Sequence, residues 1–196
     1  MTIINPVARS YDFNERLEWS HGVADSVEEI LLQHIPGCKA VRRATTQDDR
    51  HGTDWWAERG SLPALSIDVK AREEDYAPKG YDDIALETWS VIGQKIGWTR
   101  DSSKRTDYIL WYWQDTRRYL LVPFPILCQI FTENWQVWRE IYKTAEQNSG
   151  SWRSQCTFVP RKVIMQEVDR WMNGCLSQIS KSTILEWDPN TQDIVW

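Results

Sequence analysis

The stretch that decides the fold is residues 51–73, HGTDWWAERGSLPALSIDVKARE. Two β-prone runs, Thr53 to Glu58 and Ala64 to Arg72, flank Gly60-Ser61 and Pro63, which punctuate the chain as a turn. The pattern predicts a β-hairpin with Ser61 at its midpoint. Asp54 and Asp68 lie fourteen positions apart about that residue, so an antiparallel hairpin sets them opposite one another on one face. Lys70, two residues past Asp68, shares that face, whereas Ile67 and Val69 point the other way into a core. Gly52 falls roughly opposite Lys70 and is expected to leave space there for a substrate.

Two carboxylates so placed repel, and something positive should sit between them. A hard divalent cation with oxygen ligands fits, most naturally Mg²⁺, with Mn²⁺ as a substitute. Asp54 and Asp68 are then the candidate metal ligands and Lys70 the candidate catalytic lysine, an arrangement suited to phosphodiester hydrolysis. The cation would polarise the phosphate and acidify an attacking water, and the lysine would orient that water or neutralise developing charge. A third carboxylate could complete the set. Glu18 is preferred, Glu15 follows, and Glu87 is a rival. His51 and, less so, His21 are further shell candidates. The plainer alternative is a surface hairpin with a cross-strand ion pair. The register of Asp54 and the apolar flank of Leu65, Ile67 and Val69 weigh against it.

Outward from the hairpin, residues 12–34 predict a helix, with Leu17, Val23, Ala24, Val27, Ile30 and Leu31 on one side and Pro36-Gly37 as its stop. Cys38 to Thr45 predicts a strand and Thr46 to Arg50 a turn. Beyond the hairpin come a polar loop from Asp75 to Asp83, a strand from Ile84 to Ile92, and a loop from Gly93 to Asp107. Tyr108 to Trp113 and Arg118 to Val122 predict a second hairpin. Ile126 to Glu146 predicts a helix with Ile130, Trp135, Trp138, Ile141 and Tyr142 on its apolar side. A loop from Asn148 to Ser154, a short strand within Phe158 to Val163 and a last helix from Val163 to Ile179 follow. This order gives a mixed α/β sheet flanked by helices, in a single domain with its core over about 12–122 and a helical C-terminal part over about 123–196.

The 196 residues suffice for a sizeable core. Thirteen tryptophans favour large buried or interfacial surfaces and argue against disorder. A net charge of −5 argues against a generic nucleic-acid coat, although a metal-dependent nuclease tolerates it if its basic contacts are local. Arg100, Lys104 and Arg105 are the candidate nucleic-acid contacts, with Arg42, Arg43, Lys95, Arg117 and Arg118 behind them. Trp55 and Trp56 could stack on bases, while core packing is expected of Trp56, Trp111, Trp113, Trp135 and Trp138. Cys38, Cys128, Cys156 and Cys175 form no CxxC pair, which excludes a zinc ribbon and fits reduced thiols in a cytoplasm. No apolar run is long enough to span a bilayer, so no membrane association is expected.

Asp54, followed after a short turn by Asp68-Val69-Lys70, resembles the PD-(D/E)XK nuclease superfamily, the restriction-endonuclease-like fold. That family starts with a helix bearing an acidic residue, then a β-meander bearing the Asp and the (D/E)xK signature. The likeness covers roughly residues 12–122 and points toward phage and bacterial members. Thr53 stands where the family's name puts a proline, and the acid of the signature is Asp rather than Glu. The resemblance implies Asp54 and Asp68 as metal ligands, Lys70 as the catalytic lysine, Glu18 as the helix acid, and DNA as the substrate. It also implies a cytoplasmic setting, a bacterial host cell if the chain is phage-encoded. A homodimer would suit cleavage of both strands. A second expectation, of a different class, is a catalytically inactive protein of this fold that binds nucleic acid or protein as an inhibitory module.

Overall fold

The structure is a computed structural model and describes residues 13–49, 52–148, 150 and 152–182, with side chains over 22–48, 52–148, 150 and 152–175. His51 and the stretches 1–12 and 183–196 lie outside the described residues. The rest is mixed α/β and divides into two compact units, one ending at Tyr81 and resuming over Ser102–Pro125, the other made of Asp82–Asp101 and the chain from Ile126 onward.

The first unit begins with helix α1 (Phe13–His34), then strand β1 (Ala40–Arg43) and a single helical turn, α2 (Thr46–Asp49). Next come β2 (Trp55–Arg59) and β3 (Leu62–Arg72), joined by the Gly60-Ser61 turn. Gly60 adopts a φ of +67°, the left-handed backbone that glycine accepts without a Cβ penalty. The ladder pairs Trp55 with Ile67, Trp56 with Ser66 and Ala57 with Leu65. This is the register expected of a turn centred on Ser61, and the same offset carried one residue further sets Asp54 opposite Asp68. β6 (Tyr108–Trp113) and β7 (Arg118–Pro123) complete a five-stranded sheet in the order β1-β2-β3-β6-β7. The β3–β6 pair is parallel and all other pairs are antiparallel.

Strand alternation explains the core. Trp55 and Ala57 of β2 and Ile67 of β3 face α1, whose Val23, Val27, Ile30 and Leu31 recur at helical spacing and pack on them together with Leu110 and Tyr112. Leu31 and Ile67 are fully buried. Beyond β3, Asp75 ties the outgoing chain to the β6–β7 turn. Its carboxylate accepts hydrogen bonds from Ala77 N at 3.0 Å, Thr116 Oγ1 at 2.9 Å and Arg118 Nη1 at 2.8 Å.

The second unit carries a four-stranded antiparallel sheet, order β5-β4-β9-β8. Its strands are β4 (Asp83–Val91), β5 (Lys95–Ile96), β8 (Thr144–Asn148) and β9 (Arg153–Pro160). Helix α3 (Phe124–Ile141) starts at the boundary between the units, and α4 (Arg161–Ser182) follows β9. No helix among the described residues is long and apolar enough to cross a membrane.

The C-terminal part is therefore less helical than the sequence suggests. The helix expected to run to Glu146 ends at Ile141, and Thr144–Asn148 pairs as β8 with a β9 longer than the short strand expected there. Most β8 side chains are exposed, so the strand carries no alternating apolar signal and is defined by its backbone ladder. Pro125 falls inside α3 rather than before it, because proline is compatible with a first helical turn. Ile141, expected on the apolar side, is the exposed last residue of α3, and Leu127 and Phe131 take the buried positions with Ile130 and Trp138. Trp111, Trp113 and Trp138 are buried as expected; Trp55 is buried and Trp56 only half-buried, since alternation turns Trp55 to the core.

If α1 clamps the sheet in this way, Leu31→Ala should lower the unfolding free energy by about 2–5 kcal/mol in urea titrations. Exposed Leu32, its neighbour, should tolerate the same change within about 0.5 kcal/mol.

Candidate functional site

Asp68 stands on β3, hydrogen-bonded between β2 and β6, and is 2% exposed. A carboxylate in that position is costly unless it is paired. Two ammonium groups meet it: Lys70 Nζ lies 2.5 Å from Oδ1 and Lys104 Nζ lies 3.2 Å from Oδ2. Burial pushes the Asp68 carboxyl up, but Lys70 and Lys104 outweigh it and hold the group below the usual carboxylate range.

Asp54 behaves in the opposite way. It sits just before β2, and its Oδ2 accepts the Val69 N–H at 2.7 Å. Burial, the neighbouring Asp68 charge and a hydrogen bond shared with Asp68 raise its pKa to about 6, against the lowering by Val69 N–H and Lys70. The two carboxyls are thus adjacent and unlike, Asp68 ionised and Asp54 prone to hold a proton. That is the electrostatic signature of two acids forced together with one set of counter-charges.

Lys104 reaches Asp68 because the chain ahead of β6 is stapled to the hairpin. Thr106 Oγ1 donates to Gly52 O at 2.7 Å. Asp107 Oδ2 accepts Ser66 N at 2.8 Å and Ser66 Oγ at 2.9 Å, and Ser66 Oγ also reaches Arg105 O at 2.6 Å. The Lys104 side chain crosses Gly52, where a Cβ would come within 2.4 Å of Lys104 Cε and 2.6 Å of its Nζ. Gly52 also has a φ of +85°. The space expected at Gly52 for a substrate is therefore occupied by the end of the Lys104 side chain, and the positive φ is what favours glycine there.

A cavity of about 290 Å³ opens beside this group, lined by Asp54, Lys70, Val69, Ala71, Trp55, Val23 and Val27 and by two arginines, Arg43 and Arg72. Arg43 is stacked 4.2 Å from the Trp55 ring. Arg72 went unnoticed in the sequence because it closes β3 as an ordinary charged strand end, two residues past Lys70. The signal for it was the alternation that puts Asp68, Lys70 and Arg72 on one face.

The structure brings Asp54, Asp68, Lys70 and Lys104 together. Glu18, Glu15 and His21 lie on α1, the helix whose Val23 and Val27 line the cavity, with their side chains outside the described residues. Glu87 belongs to the second unit, where its Oε2 accepts Ser90 Oγ at 2.6 Å and Trp98 N at 3.0 Å. Arg100 is also in the second unit, its guanidinium 3.9 Å from the Trp135 ring and 5.3 Å from Trp89, and burial lowers its pKa. Arg105 is exposed.

Among the described residues, no group of three or more His, Cys, Asp or Glu is spaced to hold a metal ion. Two adjacent carboxylates still suit Mg²⁺, which commonly takes one or two protein carboxylates and fills its remaining positions with water and phosphate oxygens. A search of family models, of curated proteins and of solved structures found no match to this chain, so the reading rests on its own residues.

The Asp54 shift fixes a pH dependence for the metal-free protein. With its pKa raised from 3.8 to about 6, Asp54 lends stability as the neutral acid below pH 4, and that contribution is lost as pH rises through 6. Asp54→Asn keeps an acceptor for Val69 N–H and removes the charge. In EDTA it should raise stability above pH 6 by on the order of 2 kcal/mol, with the gain vanishing near pH 4. Thermal melts across pH 4–8 read this, and a variant destabilised at pH 8 would contradict it.

Proposed function

We propose that this chain is a Mg²⁺-dependent nuclease of the PD-(D/E)XK type, with a restriction-endonuclease-like core, that hydrolyses phosphodiester bonds in DNA. The observation that carries the reading is the adjacency of the Asp54 and Asp68 carboxyls, with Lys70 on Asp68, beside a cavity that Asp54 and Lys70 line. The helix-then-meander order of the first unit supports the fold assignment. Asp54 and Asp68 would hold Mg²⁺ or Mn²⁺, which when bound polarises the phosphate and acidifies water.

The chain's own residues supply the rest. Lys70 stands on the ligand carboxylate and so next to the phosphate, where its ammonium orients the attacking water or offsets charge growing on the phosphoryl oxygens. Water oxygen adds to phosphorus, one ester P–O bond breaks, and the leaving oxygen takes up a proton. Arg43 and Arg72 on the cavity wall suit the flanking phosphates. Hydrophobic packing of Ile67 on α1 fixes the strand that carries both Asp68 and Lys70.

One observation favours a second reading. Lys70 and Lys104 already neutralise Asp68, as in a nuclease-fold module that binds nucleic acid or protein without catalysis. Calorimetry with Mg²⁺ or Mn²⁺ separates the two, because only the nuclease needs to take up metal at Asp54 and Asp68.

Asp68→Ala and Lys70→Ala should each cut Mg²⁺-dependent cleavage of labelled DNA by about 10²–10³-fold or more. Circular dichroism should show both variants folded. Cleavage unchanged in both would remove the assignment.

A further inference from the structure

Resting on the metal-nuclease reading, we propose that Lys104 is the substrate-phosphate clamp of this site, held on Asp68 until a divalent cation takes its place. Both Asp68 oxygens are engaged, Oδ1 by Lys70 and Oδ2 by Lys104. A cation that binds Asp68 therefore shares the carboxylate with two ammonium groups, and the repulsion among the three favours release of one. Lys70 follows Asp68 on the same strand and moves little from it, whereas Lys104 arrives from a separate segment on a long flexible stem.

The surroundings keep the displaced ammonium close. Its stem runs over Gly52, its Nζ lies 5.8 Å from the Phe124 ring, and the side chain is 16% exposed. Thr106 on Gly52 O and Asp107 on Ser66 hold the segment in place. A cation moved off its carboxylate in such a setting gains most from another anion within reach of its stem. A non-bridging oxygen of a phosphodiester held beside Asp68 by the cation would be that anion. Lys104 is thus a substrate-binding residue that competes with the metal and cooperates with the phosphate, a pairing that a purely structural lysine would not show.

Lys104→Met tests this, because methionine retains an unbranched apolar side chain and loses the ammonium group. Calorimetric titration of Mn²⁺ into the DNA-free protein should show binding at least about fivefold tighter than wild type. Cleavage of a labelled duplex in Mn²⁺ should fall at least about tenfold in kcat/KM, chiefly through KM. Mn²⁺ affinity that is unchanged or weaker, or cleavage equal to wild type, overturns the assignment to Lys104 alone. A wild-type protein that neither binds Mn²⁺ nor cuts any nucleic acid overturns the nuclease reading, and this one with it.

Discussion

A carboxylate buried in the middle of a sheet is the constraint on which the first unit depends. Asp68 occupies a position that an apolar side chain would fill at no electrostatic cost, and burial alone would force it neutral. It stays ionised because two lysines meet it, one from its own strand and one from the segment ahead of β6. Either lysine alone still pairs the carboxylate, whereas removing both would leave a buried charge unpaired.

The neighbouring architecture follows from that need. A parallel β6 beside β3, with Tyr108 opposite Ile67, brings its preceding residues alongside Ser66. Thr106 and Asp107 then fasten that segment to Gly52 and Ser66. Gly52 holds a φ of +85°, which favours glycine, and the end of the Lys104 side chain lies over it. Asp54, one residue before β2, completes the group by capping the Val69 N–H. The second unit solves a different problem: Thr88 and Thr157, both fully buried on β4 and β9, satisfy each other at 3.0 Å, and Arg100 is spent against Trp135.

The hairpin was legible because its signals are local. Gly60-Ser61 marks the turn, alternation assigns the faces, and the two together fix the Asp54–Asp68 register. Helix α1 was legible from a single apolar stripe. The sequence marks Lys104 only as one basic loop residue among several, since its partner lies thirty-six residues away and the link is the parallel β3–β6 pairing, which no local pattern encodes. The bare position at Gly52 was visible, but the lysine that lies over it was not, for the same cause. Strand β8 was missed because its exposed side chains carry no periodicity, and the helix before it continues a plausible pattern into polar residues. Glu87 and Arg100 look like site residues by type alone; their hydrogen bonds and ring contacts are local to the second unit.

The most direct test of the central claim is a crystal of the full chain soaked in Mn²⁺ and measured at an anomalous wavelength. One strong peak is expected, with a carboxylate oxygen from each of Asp54 and Asp68 in its coordination shell and Lys104 Nζ moved off Asp68. A peak elsewhere, or none with both lysines still on Asp68, would contradict it.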